Sequence, residues 1–431
     1  MSKTNKAKKY PVKTSKQALS NKIGSYTKTV LPNKLIVISE EVPSVESFAL
    51  GICINAGSRE DPQGNCGTAH FIEHALFRRT KNRNARQIAT DFESLGAYYN
   101  AYTSKEFTCF YVRALKSHFK KIFELLADVV INPVFNEKDF KNEQSIILEE
   151  ISVVEDDPEE LIFDYGDKLI FGNHPLSNPI IGTRNSVSNI SNEDLFNFHQ
   201  KYYNTQNIII SIAGNVSHEQ LMEEVSSSVF ESLPVQGENT FRSYPEDTFI
   251  LRQEITKQFQ QSHFLAGLKA EGLNSKEKYI LPLINLLFGE GTSSRLYQEL
   301  REKHALAYNI YSTVNMMSDC GDLYIYAATD TKKIDILEKI TFDLMDKMLS
   351  KKVTEDELNR AKEQLKTGTI MDLESMSSRM QNLAKNEFLS GIYENIPAII
   401  EEINSITLKS VREIAGKYFQ RDKWNVVIFH P

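Results

Sequence analysis

Two histidines enclose a glutamate in His70-Phe71-Ile72-Glu73-His74, the densest group of reactive side chains in the sequence. On a helix, positions i, i+3 and i+4 share one face. Both imidazoles can then meet one ion with the carboxylate beside them. Neutral imidazole nitrogen and carboxylate oxygen suit Zn2+ at about 2.0–2.2 Å, and a catalytic zinc needs three protein ligands plus an open position. The expectation is one Zn2+ per chain, with a third ligand from another element. The stretch holding Glu143, Glu149, Glu150 and Glu155 is the acid-rich candidate. Glu143 and Glu150 lie two helical turns apart on one face; one could bind the ion while the other orients a ligand. Glu73 suits the role of general base toward a water whose pKa the metal lowers to about 7. The competing reading is plain: two satisfied, partly buried helix histidines and a surface carboxylate.

The elements that must position these groups follow from periodicity and turn residues. A helix is expected from near Gly67, carrying His70 to Phe77, and a second over Ala85 to Leu95. Tyr26 to Val30 and Leu35 to Ser39 read as strands around Pro32-Asn33, and Phe48 to Ala56 as another. Ala97 to Arg113 alternates aromatic and polar residues, a strand pair turning near Ser104-Lys105. Ser117 to Ile131 and the amphipathic Glu137 to Val154 read as helices, the latter stopped by Pro158. Ile208 to Ala213 is an apolar strand, and Asn215 to Ser217 leads into a helix.

The chain has 431 residues, enough for two domains. Hydrophobic residues make up 41% and charged residues 25%, ordinary for a globular protein. A net charge of −7 gives no reason to expect a nucleic-acid partner. Cys53, Cys66, Cys109 and Cys320 form no C-x-x-C pair and read as free thiols in a reducing compartment. No apolar run reaches the ~18 residues of a membrane span, so no membrane association is expected. The lysine-rich start has no apolar segment after it and reads as a disordered basic tail over residues 1–25. A bacterial cytoplasmic location is the expectation, with an organelle matrix as the alternative.

The two halves resemble each other. Ala97-Tyr98-Tyr99-Asn100-Ala101-Tyr102-Thr103 before Phe110-Tyr111-Val112 has its counterpart in Ala307-Tyr308-Asn309-Ile310-Tyr311-Ser312-Thr313 before Tyr324-Ile325-Tyr326. Duplication of one α/β unit is the reading, with residues 26–233 as the metal-binding half, 234–245 as linker and 246–431 as the second half. Aligning the halves on Phe77 and Phe288 puts Leu281, Ile284 and Asn285 at the metal positions, so the second half should bind no zinc.

The pentapeptide and its surroundings resemble the inverted-motif zinc peptidases. More narrowly, the chain is similar to the pitrilysin/insulinase family, in the short-chain branch that contains mitochondrial processing peptidase and its bacterial relatives. The residues that carry this are Gly67 to Phe77, Asn100 to Glu106, Ile131 to Phe135, Glu143 to Ile151, Gly291 to Leu296 and Leu300 to Tyr308. The resemblance implies an α+β fold of two homologous α/β-sandwich domains, each a mostly antiparallel sheet with helices on one face. It assigns the ligands to His70, His74 and Glu150, the base to Glu73 and a supporting carboxylate to Glu143. Arg301 and Tyr308 match an Arg–Tyr element that contacts substrate near the scissile bond. Asn100, Ala101 and Thr103 match the strand that pairs with an extended peptide. The implied activity is zinc-dependent endopeptidase action on extended peptides or small unfolded polypeptides. The chain resembles half of the family's long members, which implies a homodimer, or a heterodimer with a related subunit, in which Arg301 and Tyr308 serve the partner's zinc. The alternative is a non-catalytic core or assembly subunit of the same fold.

Overall fold

Apolar, β-branched and aromatic runs bounded by polar turns become twelve strands in a computed structural model that describes residues 14–17, 24–233, 242–246, 249–350 and 353–431. Seven strands form one sheet in the order β1 (Thr14–Gln17), β2 (Ser25–Val30), β3 (Ile36–Glu41), β7 (Ile208–Gly214), β4 (Ser47–Ile54), β6 (Thr108–Leu115), β5 (Tyr98–Thr103). Five form a second, in the order β10 (Ala307–Met316), β11 (Cys320–Thr329), β9 (Ser262–Glu271), β12 (Asn425–His430), β8 (Arg252–Thr256). The β3–β7 and β8–β12 pairs are parallel and the rest antiparallel. The order β3-β7-β4-β6-β5 therefore recurs as β8-β12-β9-β11-β10, with the parallel pair in the same place. Two α/β domains with mixed sheets result.

Alternation along β4 shows how the layers form. Phe48, Leu50, Ile52 and Ile54 enter a core shared with the helices of the same half, among them α1 (Thr68–Leu76), α2 (Ala85–Ser94), α3 (Phe119–Ile131) and α4 (Glu137–Asp156). Ala49 and Cys53 point to the opposite face, where they meet Met380, Leu383 and Ala384 of the helix Met376–Leu389 from the second half. The reverse loan is α5 (Pro158–Phe171), whose Leu161, Ile162, Leu169 and Ile170 pack on Leu265, Tyr324, Val427 and Phe429 of the second sheet. Each sheet thus carries its own half's helices on one face and a helix of the other half on the opposite face. Both faces of the central strands are dry, so they read as continuous apolar runs.

Several boundaries move from the sequence reading. Pro158 does end the preceding helix, but it also opens α5 at the first turn, where its missing N–H costs nothing. The disordered tail expected over residues 1–25 is corrected at Thr14–Gln17, which pairs antiparallel with β2 from Thr14↔Thr29 to Gln17↔Tyr26. That pairing covers what would otherwise be the open edge of β2. The rest of the tail up to residue 23 and residues 234–241 of the expected linker lie outside the described residues. Among the described residues no helix is long and apolar enough to cross a membrane.

Candidate metal centre

The helix α1 is held at its start by one carboxylate. Asp61 accepts the backbone N–H of Gly67 at 2.6 Å and of Ala69 at 2.8 Å, satisfying donors a helix leaves free at its N-terminus. Ala69, Phe71, Ile72, Ala75 and Leu76 bury one face of α1, leaving His70, Glu73 and His74 half-buried on the other. The long helix α4 is capped by Asn136, whose side chain accepts from Asp139 N–H. Phe140 stacks on Phe71 at 4.8 Å, and Arg79 bonds Asp139 at 2.9 Å, so α4 docks alongside α1.

This docking brings His70, His74 and Glu150 together, with one donor atom from each lying within 4.8 Å of the others. His70 Nε2 is 4.0 Å and His74 Nε2 3.6 Å from Glu150 Oε2. Ligand atoms of a tetrahedral zinc stand roughly 3.5 Å apart, so the three fit one ion with modest closure. Behind them His74 Nδ1–H donates to Glu143 Oε2 at 3.3 Å. Glu143 is 1% exposed, and its other oxygen pairs with Arg78. That bond turns Nε2 of His74 toward Glu150, the arrangement by which an outer carboxylate orients a metal-binding imidazole.

Burial, with the neighbouring His74 adding to it, pushes the His70 imidazole down to about 3 and keeps it neutral as a ligand must be. Burial also acts to lower His74, but the Glu143 hydrogen bond and the charges of Glu150, Glu73 and Glu143 outweigh it and raise its pKa. Glu73 lies beside the trio. Burial raises its carboxyl above the usual range, against the bond from Thr103 and the charge of His74. Thr103 Oγ1 donates to Glu73 Oε2 at 2.6 Å.

Thr103 therefore sits where it holds Glu73. Ala101 is buried, and the Asn100 side chain accepts the Ala101 N–H at 2.9 Å, a local bond. All three belong to β5, which ends the sheet order and pairs with β6 alone among the described strands. Arg301 and Tyr308 are neighbours of one another. The Arg301 guanidinium lies 4.3 Å from the Tyr308 ring centroid and donates to the Tyr308 carbonyl at 3.0 Å. Tyr308 is 82% exposed. In the second half, Leu281, Ile284 and Asn285 are buried in the helix Ile280–Phe288, with Asn285 bonded to Ser312 and Glu290, a packed rather than a metal-binding face.

Three supporting residues escaped the sequence reading: Asp61, Arg78 and Tyr203. The Tyr203 hydroxyl is buried with no hydrogen-bond partner among the described residues, and burial together with the charge of Glu73 pushes its pKa up. None of the three left a readable signal: Asp61 stands six residues ahead of Gly67, too far to be recognised as the cap of α1 from spacing alone.

Comparison with known proteins bears on this geometry. Residues 36–184 match the model of the insulinase family, peptidase family M16, and residues 189–365 match the model of the peptidase M16 inactive domain. The uncharacterized zinc protease YmxG of Bacillus subtilis (strain 168) is 33% identical over 392 residues, covering 90% of this chain and 95% of its own. An uncharacterized zinc protease of Mycobacterium tuberculosis (strain ATCC 25618 / H37Rv) is 33% identical over 412 residues, covering 94% and 93%. Among solved structures, a protease from Helicobacter pylori superposes with a TM-score of 0.88 at 23% identity, over 95% of this chain and 100% of that one, a likeness of fold.

Proposed function

Because the chain belongs to the insulinase family, peptidase family M16, we propose that it is a zinc endopeptidase acting on extended peptides or small unfolded polypeptides. The observation that carries this reading is the convergence of His70, His74 and Glu150, with Glu73 beside them. Two neutral imidazoles and one carboxylate are the donor set of hydrolytic zinc. When bound, such an ion lowers the pKa of a water and polarises a carbonyl.

The chain's own residues supply the rest. Thr103 occupies Oε2 of Glu73, which leaves Oε1 to take a proton from the attacking water and return it to the departing amine nitrogen. The carboxyl's raised pKa favours holding that proton between the two steps. The free edge of β5 offers main-chain donors and acceptors to an extended peptide, which recognises backbone rather than side chains. Arg301 and Tyr308 are donors suited to a substrate carbonyl. We assign them to the zinc of a second copy in a dimer, a reading supported by the 82% exposure of Tyr308.

Purified chain should hold close to one zinc and cleave an unstructured peptide library, with the cuts mapped by mass spectrometry and abolished by a chelator. Glu73→Gln should keep the zinc and lose cleavage. A chain without zinc, or a Glu73→Gln variant of full activity, would overturn the reading.

A further inference from the structure

The last residue of β5, Thr103, and the three that follow it tie the β5–β6 turn to several parts of the molecule. Thr103 bonds Glu73 on α1. The carbonyls of Ser104 and Lys105 accept the backbone N–H groups of Ser58 and Arg59 at 3.1 and 2.8 Å. Lys105 Nζ reaches Asp167 of α5 at 2.9 Å and the carbonyls of Leu176 and Asn178. A Cβ on Gly57 would stand 2.2 Å from the Ser104 carbonyl oxygen, so the loop before Ser58 lies against this turn with no room for a side chain.

Glu106 completes the set by bonding the other half of the molecule. It is 4% exposed. Its Oε1 accepts from Arg59 Nη1 at 2.7 Å and Ser318 Oγ at 2.6 Å, and its Oε2 from the Ser318 backbone N–H at 2.7 Å. Arg59, its side chain 2% exposed, also bonds both oxygens of Asp319 at 2.8 and 2.7 Å. Ser318 and Asp319 form the turn between β10 and β11, the counterpart in the second half of the turn that carries Glu106. From the segment between the halves, Arg242 donates to the Glu106 carbonyl and bonds Glu60 at 2.8 Å. The matching turns of the duplicated unit thus meet over one buried carboxylate.

We propose that Glu106 is a positioning residue for Glu73. Its carboxylate seats the 103–106 turn against the second half, and the turn, through Thr103, sets the direction in which Glu73 presents its free oxygen. The base is then held for reaction only while the two halves are closed on each other at Ser318. This rests on the reading of Glu73 as the base. A displacement of about 1 Å at a reacting group can cost on the order of 100-fold in rate, and only Ser104 and Lys105 separate Glu106 from Thr103, which leaves little slack.

The test is a double-mutant cycle on kcat and KM, with zinc content and melting temperature measured for every variant. Thr103→Val should lower kcat by roughly 10- to 100-fold with KM within about twofold, since the bond matters to the reacting geometry and not to peptide binding. Glu106→Gln should lower kcat in the same way, and the double variant should be no slower than Thr103→Val alone, because residues on one path are not additive. Ser318→Ala, which removes one bond and no charge, covers the case in which Glu106→Gln fails to fold; it should lower kcat and raise amide hydrogen exchange over residues 98–107. Multiplied effects in the double variant, or an unchanged kcat in both Glu106→Gln and Ser318→Ala, would overturn the proposal while leaving the peptidase reading intact. A zinc-loaded wild-type chain that cleaves no peptide would overturn both.

Discussion

Glu143 Oε2 and His74 Nδ1 meet at 3.3 Å between α4 and α1, with Glu143 almost fully enclosed. The pair fixes which nitrogen of His74 faces Glu150, so the metal site is preformed on this side. Glu143→Gln keeps the shape but removes the charge that strengthens the imidazole as a ligand. Zinc affinity should fall by roughly 10- to 100-fold, the usual cost of losing such a partner. Competition against a chromophoric chelator reads this directly; an unchanged affinity would show that His74 needs no orientation.

The two histidines and Glu73 were legible because their helical spacing puts them on one face whatever the surroundings. The third ligand was not, since the same helix offers several acids and only packing distinguishes them: Glu143 is enclosed behind His74, Glu150 faces both imidazoles, and Glu155 bonds Arg184. Where spacing left two acids open, the family resemblance points to Glu150, and Glu150 is the one whose carboxylate lies near both imidazoles. Thr103 was read as part of the strand that pairs with an extended peptide; that its hydroxyl also holds Glu73 was not legible, because the parity of a strand relative to a neighbouring helix is set by register and not by the alternation itself. The exchange of helices between the halves was also invisible. An apolar stripe on α5 or on Met376–Leu389 says that a face is buried without saying which sheet covers it.

Gly51 marks that exchange. A Cβ there would stand 2.2 Å from Met380 Sδ, so the borrowed helix packs on β4 with no space for a methyl group. Gly51→Ala should destabilise the fold by about 1–3 kcal/mol, the cost of overpacking a filled core, moderated by the flexibility of the methionine. Urea unfolding followed by circular dichroism measures it, and a midpoint equal to the wild type would mean that the interface yields freely.

His199 should make the protein acid-sensitive. Burial pushes its pKa down to about 4 from an ordinary 6.5, only partly offset by the bond from its Nε2–H to the Val130 carbonyl at 2.9 Å. The unfolded chain therefore binds the proton first as the pH falls. Stability tied to the neutral ring is fully present above pH 6.5 and is lost as the pH falls through the window toward 4, by an amount on the order of 3 kcal/mol. His199→Gln keeps a donor and cannot titrate. Measured as metal-free proteins between pH 7.5 and 4.5, so that zinc release does not intrude, wild type should lose more of its urea midpoint than the variant. Parallel curves for the two would show that His199 is not the group responsible.

Arg301 and Tyr308 present the last question, because they lie against each other with the phenol outward. If each copy lends this pair to the other's zinc, a Glu73→Gln chain and an Arg301→Ala chain are each inactive for different reasons. Mixed and allowed to exchange subunits, they form dimers in which one site joins an intact Glu73 to an intact Arg301. Random pairing in a twofold dimer restores roughly one quarter of all sites, so the mixture should regain about that share of wild-type activity. Were the pair to act within its own chain, no site in any dimer would be complete. A mixture no more active than its components, with exchange verified by mass spectrometry of the native dimers, would place the pair in its own subunit.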